Sequence, residues 1–220
     1  VRILRMFYTE EALERYPKDV ELLREKAERA FLLSQQLAGG LSATVTPQGI
    51  FCVCAMLDKT DCLDKMDASG QLLGLEDIQD PGNLGTILRT GEGAGIGGVI
   101  MSRETADIYN PKTIRSTIGS IYRVPFVYVS SLEETAVQLK AAGIRLFAAH
   151  LKGKSWYDGE DYRKGSAFLI GNEGNGLREE TAALADTYIK IPMEGRVESL
   201  NAAMASGILM YEAARQRRGG

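Results

Sequence analysis

The chain has 220 residues, 45% of them hydrophobic and 25% charged, with a formal net charge of −3. That suffices for one sizeable core with a small appendage in an ordinary globular protein. No apolar run approaches the roughly 20 residues of a membrane span, and the missing chain-wide basic coat argues mildly against a nucleic-acid binder, leaving only a local basic patch open. The first residue is Val1, with neither an initiator methionine nor a secretory signal, so the natural start is expected further upstream.

In chain order, Glu10 to Leu37 carries apolar residues at helical spacing, including Leu13, Val20, Leu23, Ala27, Ala30 and Phe31. Pro17 should divide it into a short helix and a longer one from about Asp19, with Gly39 and Gly40 ending the second. The run IFCVCAM reads as a strand with Cys52 and Cys54 on one face. With Cys62 they make an odd count, no C-x-x-C, and only His150 as a histidine, so reduced, buried cytosolic thiols are expected rather than a metal site. The polar stretch DKTDCLDKMDASG is the expected boundary between an N-terminal segment, residues 1–68, and a larger domain, residues 69–220.

From Leu72 the rhythm changes. LLGLE, GGVIM, PFVYV, RLFAA, AFLIG and TYIKI are strand candidates, and helices are expected at about 83–94, 111–119, 132–142, 178–184 and 197–217. Strands that are apolar throughout and alternate with helices indicate an α/β domain, a mostly parallel sheet with helices on both faces. The run GAGIGG, Gly93 to Gly98, spells a dinucleotide fingerprint, but a helix pattern precedes it and a strand follows. A pyrophosphate turn needs the reverse order, so the glycines read as a left-handed helix cap.

Three stretches stand out: DIQDPGNLGTILRTGEGAGIGG, FLIGNEGNGLREE and IKIPMEGRVESLNAAMASGILMYEAARQ. Their order and their N-x-G-x-x-x-R, G-N-E-G and S-L-N elements resemble the conserved blocks of the SpoU (TrmH-type) group of SPOUT RNA methyltransferases. The resemblance covers about Leu72 to Arg217. It implies a C-terminal trefoil knot, a cytoplasmic homodimer without metal, and transfer of a methyl group from S-adenosylmethionine to a ribose 2′-hydroxyl of structured RNA. It also makes the first 65 or so residues resemble part of an RNA-binding extension found in ribosomal-RNA enzymes. That favours rRNA over tRNA as substrate; a catalytically silent RNA-binding protein of the same fold is the alternative from another class.

The resemblance also assigns the site. Arg89, six positions after Asn83, takes the catalytic place, either orienting the hydroxyl and stabilising developing negative charge or binding phosphate without a chemical role. Proton abstraction by a group that holds its own proton above pH 12 sits poorly with its chemistry and is left open. Glu173 matches a carboxylate that would be buried beside that arginine, or else is an acid at a helix start. Asn83 makes a polar contact in the site or serves turn and N-cap chemistry. Ser199 and Asn201 sit two apart at the start of the last helix, where Ser199 is expected to cap it while Asn201 holds backbone groups of the knot. Gly171, Ile191, Leu200, Met193, Gly176 and, less directly, Ala149 would surround the methyl donor, with Ile191 and Leu200 alternatively plain core. A small-residue stripe around Leu200, Met204, Ile208 and Tyr211 suits either core or dimer packing, and Arg103, Lys112, Arg115 and Arg123 are a candidate RNA patch or a solvated face.

Overall fold

A computed structural model describes residues 1–42, 46–57 and 69–219. The chain divides into two compact units, Val1–Asp58 and Lys59–Gly220. Most of the expected boundary segment, with Cys62, lies outside the described residues.

In the first unit, β1 (Ile3–Tyr8) leads into α1 (Glu10–Arg15), α2 (Pro17–Lys26), β2 (Ala30–Leu32), α3 (Gln35–Leu41) and β3 (Ile50–Cys54). Thr9 caps α1 by accepting from the Ala12 N–H, and Pro17 opens α2, where its missing N–H costs nothing. The strands lie in the order β2-β1-β3, β1 parallel to β2 and antiparallel to β3. Met6, Ala12 and Val20 form the small core.

Three expectations fail here. The second helix stops at Lys26 instead of running to Leu37, because Ala30–Leu32 pairs with β1 and Phe31 stacks on Phe7 at 5.3 Å. An open strand edge outweighs a local helical pattern. Gly39 and Gly40 lie inside α3, which Ser34 caps, rather than ending a helix. Cys52 is exposed and Cys54 half-buried, both as free thiols, because β3 is an edge strand beyond the small core.

The second unit contains β4 (Gln71–Leu75), α4 (Pro81–Ala94), β5 (Gly98–Ser102), α5 (Pro111–Thr117), β6 (Phe126–Val129), α6 (Leu132–Ala141), β7 (Arg145–Ala149), β8 (Ser155–Trp156), β9 (Ser166–Ile170), α7 (Glu179–Ala182), β10 (Thr187–Lys190) and α8 (Ala202–Arg218). All seven strands are parallel, in the order β6-β5-β4-β9-β7-β10-β8. Every residue of β4, β5 and β9 is buried, so both faces of the sheet centre are covered. Leu72, Ile100, Leu146 and Ala167 pack with Leu132 and Ala136 of α6. Each large side chain so buried contributes about 1.5–3 kcal/mol. Gly95 caps α4 at φ +75°, as the glycine run requires.

After β4 the chain winds outward through β5 and β6; after β9 it winds the other way to β10. Loops leaving β4 and β9 therefore diverge, and the crevice between their C-terminal ends is where an open parallel sheet binds ligands. The two-residue strand β8 was not expected; it is too short for a periodicity. The last helix begins at Ala202, later than expected, with Asn201 as its N-cap.

Candidate active site

The segment after β4 and the loop after β9 are tied together by side chains. Asp80 caps α4, accepting from the Asn83 N–H at 2.9 Å and from Lys112 Nζ at 2.9 Å. Those two donors, Lys112 first, hold the Asp80 carboxyl below its ordinary value. Glu173 accepts from the Gln79 N–H at 3.1 Å, the Asp80 N–H at 3.3 Å and Asn83 Nδ2 at 2.8 Å. Burial alone would raise its carboxyl; the donors from Asn83, Gln79 and Asp80 outweigh that and lower it. Asn83 Oδ1 in turn accepts from Asn201 Nδ2 at 3.0 Å. Asn201 Oδ1 takes the N–H groups of Ala203 and Met204 at 2.9 and 3.3 Å. One residue from each sequence block thus meets in a single chain, Glu173 to Asn83 to Asn201.

The loop itself is folded tightly. Asn172 accepts from the Gly174 and Asn175 N–H groups at 2.9 and 3.1 Å and donates to the Asp77 carbonyl at 2.8 Å. Asn172 and Gly176 exchange two backbone hydrogen bonds, and Gly176 takes φ +72°. A Cβ on Gly171 would collide with the backbone of Gly176 and Leu177, so only glycine lets the loop close.

Below the loop lies Glu76, whose side chain is 1% exposed. Its carboxylate accepts from the Arg178 N–H at 2.7 Å, from Arg178 Nε at 2.9 Å and from the Thr181 hydroxyl. The Glu76 hydrogen bond raises the Arg178 guanidinium further, and Glu133 adds a second ion pair at 3.3 Å. Asp77 beside it holds φ +56°, fixed by Ser102, whose hydroxyl donates to its carboxylate at 2.6 Å and accepts its N–H at 2.8 Å. Positive φ in a non-glycine residue costs energy and persists only where neighbours impose it.

Beside this framework lies a cavity of about 470 Å³. Ala149, Gly171, Gly176, Ile191, Met193 and Leu200 all line it, with Ser199, His150, Lys190 and Glu179. Its walls come from the ends of β7, β9 and β10 and the approach to α8. Ile170, Leu177, Ile189 and Leu209 supply apolar surface, exposed loop backbone supplies polar groups, and the size suits a nucleoside-sized ligand. The closely approaching glycine backbone fits the donor the resemblance implies.

Two assigned contacts need correction. Glu173 is exposed and takes amide donors instead of the Arg89 guanidinium. Arg89 is also exposed, two turns along α4 from Asn83, without a hydrogen bond or ion pair among the described residues, and it does not line the cavity. The donors that reach Glu173 belong to the start of α4 and the segment before it. Ser199 is not the cap of the last helix; Asn201, one residue before α8, reaches its free N–H groups instead. In the basic patch, Arg123 pairs with Glu92 and Lys112 with Asp80. Glu76, Arg178, Asp77 and Asn172 went unread because their partners lie up to 105 residues away.

Among the described residues no group of three or more His, Cys, Asp or Glu side chains is placed to hold a metal ion, and no helix is long and apolar enough to cross a membrane. The SpoU rRNA Methylase family model matches residues 71–211. The 23S rRNA (guanosine(2553)-2'-O)-methyltransferase RlmP of Bacillus subtilis is 34% identical over 197 residues, 90% of this chain and 75% of that protein. The 23S rRNA (guanosine-2'-O-)-methyltransferase RlmB of Bordetella pertussis is 33% identical over 213 residues, 93% of this chain and 87% of that protein. The crystal structure of the SpoU methyltransferase AviRb from Streptomyces viridochromogenes with AdoMet aligns at TM-score 0.85 and 30% identity, covering 99% of this chain and 84% of that one. With two of the blocks lining one cavity, the first tied to both through Asn83, and the family match spanning nearly the whole larger unit, the chain belongs to the SpoU rRNA methylase family.

Proposed function

We propose that the chain is an S-adenosylmethionine-dependent methyltransferase acting on a ribose 2′-hydroxyl of structured RNA, with rRNA as its substrate. The observation that carries this is the joining of the donor cavity to the chain Glu173–Asn83–Asn201, which brings all three sequence blocks to one crevice. When bound, S-adenosylmethionine supplies an electrophilic methyl group. Gly171, Gly176, Ile191, Met193, Leu200 and Ala149 hold the donor, and Ser199 lines its rim. Asn83, Glu173 and Asn201 fix the start of α4 against the donor loop. Arg89, free of protein partners among the described residues, is left to meet the ribose and its phosphate and to stabilise charge on the 2′-oxygen. Methyl transfer is an in-line displacement, so holding the two reactants in register is the main task.

The reading extends to a trefoil-knotted C-terminal segment, a cytoplasmic location, and a homodimer. The dimer is supported by α8, whose buried side is Ala203, Ser206, Leu209, Met210 and Ala213 while Met204 and Tyr211 stay 60% and 47% exposed. Within the chain the small residues of that helix already serve core packing, Gly207 against Thr90 of α4. The first unit, residues 1–58, is proposed as part of an RNA-binding extension. The rRNA assignment rests on the activities named for RlmP and RlmB; tRNA is the second reading, because related chains are described as tRNA/rRNA methyltransferases. Labelled methyl transfer to unmodified rRNA and, separately, to tRNA, followed by nuclease digestion, tests it. A 2′-O-methylnucleoside from rRNA supports the proposal, label in tRNA moves the substrate, and label on a base alone refutes the ribose assignment.

A further inference from the structure

The outer edge of the seven-stranded sheet carries a feature that the donor site does not use. β8 ends on Trp156, the chain's single tryptophan, paired on the same rung with Lys190 of β10. Trp156 is 50% exposed, although a large aromatic side chain gains most from burial. The Lys190 ammonium lies 4.5 Å from the ring centroid, so one face of the indole holds a cation. Lys154, two residues earlier, is exposed and makes no hydrogen bond or ion pair among the described residues. Lys152 is 76% exposed and reaches Glu179 only at 3.6 Å. Leu151 nearby is 67% exposed. Asp158 is the exposed acid nearest Trp156 in the chain, while the exposed Glu173, Glu179 and Glu198 line the cavity with Lys152 and Lys190.

The position matters as much as the composition. Lys190, Lys152 and His150 line the donor cavity, whereas Trp156 stands just outside it. An acceptor nucleotide delivered to that cavity must bring its neighbours past this rim. Unpaired bases present flat faces that stack on an exposed indole, and their phosphates suit unpaired ammonium groups. Lysines on an edge strand also deter strand pairing, but that role does not require an exposed tryptophan held by a cation.

We propose that Trp156, backed by Lys190 and flanked by Lys152 and Lys154, is a stacking platform for an unpaired base of the RNA next to the methylated nucleotide. The proposal rests on the RNA methyltransferase reading and adds the place where the strand is gripped. The platform orients substrate RNA at the rim; it touches neither the donor nor the transferred group.

The test uses the full chain saturated with S-adenosylhomocysteine, so that donor binding contributes no further change. Tryptophan emission is then followed while in-vitro transcribed, unmodified 23S rRNA is added, and methyl transfer to the same RNA is measured in parallel. Stacking quenches the emission, saturating with the RNA. Trp156→Ala weakens RNA binding, read by filter retention, and raises KM for RNA by roughly 5- to 50-fold. Trp156→Phe restores part of the loss, and Lys154→Ala reduces the salt dependence of binding. Affinity for S-adenosylhomocysteine, measured by calorimetry, stays at the parent value in all three and shows that they are folded. If the RNA is methylated but leaves the emission unchanged, and Trp156→Ala binds it like the parent, the platform is refuted while the enzymatic reading stands. If neither rRNA nor tRNA is bound or methylated, both fall.

Discussion

Replacing Glu76 by glutamine keeps the shape of the side chain and removes its charge, so it isolates what the buried carboxylate does. Three donors converge on Glu76: the Arg178 N–H, Arg178 Nε and the Thr181 hydroxyl. With an amide in its place, the remaining oxygen can keep the Arg178 N–H, and Thr181 can turn its hydroxyl to accept from the new NH2 group. Arg178 Nε then faces a donor and loses its partner. The guanidinium is not orphaned, because its side chain is 51% exposed and Glu133 stays within 3.3 Å. The loss is one charge-assisted hydrogen bond and the weakening of another, about 2–3 kcal/mol after allowing for solvent at the arginine. For a chain of this length that lowers the melting temperature by about 4–12 °C. Arg178 directly follows Gly176 and Leu177 of the cavity wall, so the donor loop loosens as well, and S-adenosylhomocysteine affinity falls about tenfold for each ~1.4 kcal/mol transmitted. Glu76→Asp keeps the charge but is one methylene short, and lies between parent and glutamine. Thermal unfolding and calorimetry read the two effects. A glutamine variant that melts with the parent and binds S-adenosylhomocysteine equally well refutes this role for the Glu76 carboxylate.

Three further outcomes follow from the same geometry. Gly171→Ala forces the donor loop open against the Gly176 and Leu177 backbone; at a strain of about 1–3 kcal/mol it weakens S-adenosylhomocysteine binding roughly 5- to 100-fold, with far-UV dichroism unchanged. Arg89→Ala lowers single-turnover methyl transfer by about 100- to 1,000-fold with donor affinity intact; near-normal transfer with unchanged RNA binding removes Arg89 from the chemistry. The Glu92 carboxyl is lowered to about 2, by the Arg123 hydrogen bond first and the Ser120 hydroxyl second. Because its folded value is depressed, its stabilising contribution is fully present above the ordinary carboxylate value and is lost as pH falls toward 2. Carbon-13 titration of its carboxyl shift, moving at the ordinary value, contradicts the pairing.

The central strands were legible because GGVIM and AFLIG are apolar throughout, as strands buried on both faces must be. The cap at Gly95 was legible from order alone, helix before glycine and strand after. The N-terminal unit was not: Ala27, Ala30 and Phe31 fit a helical stripe, yet the last two pair with Met6 and Phe7. ILRMFY lacks the alternation that marks a half-buried strand, since Ile3 and Met6 face inward across a bulge. The donor-lining residues came from resemblance and not from spacing; nothing local distinguishes Ile191 or Leu200 from core. Polar partnerships were least legible. Glu76 and Arg178 lie 102 residues apart, and no local pattern records that the chain returns there. Ser199 and Asn201 are both good capping residues, and only the path of the chain decides between them.

The polarity of the site's hydrogen bonds can be traced to one residue. An ionised carboxylate only accepts, so Glu173 compels Asn83 to turn its NH2 group toward it. Asn83 Oδ1 then faces the other way and requires a donor, which orients Asn201 with its NH2 group inward. That leaves Asn201 Oδ1 pointing at the start of α8, where the unpaired N–H groups of Ala203 and Met204 need an acceptor. Reversing either amide would place like groups face to face at both of its contacts. A charge on the loop after β9 therefore sets the cap of a helix that begins about 30 residues later, and it does so through a residue of the first sequence block. The three blocks are bound by direction as well as by proximity, which explains why an acid, an amide and a second amide occupy these positions and why none can be exchanged singly without leaving another polar group unpaired.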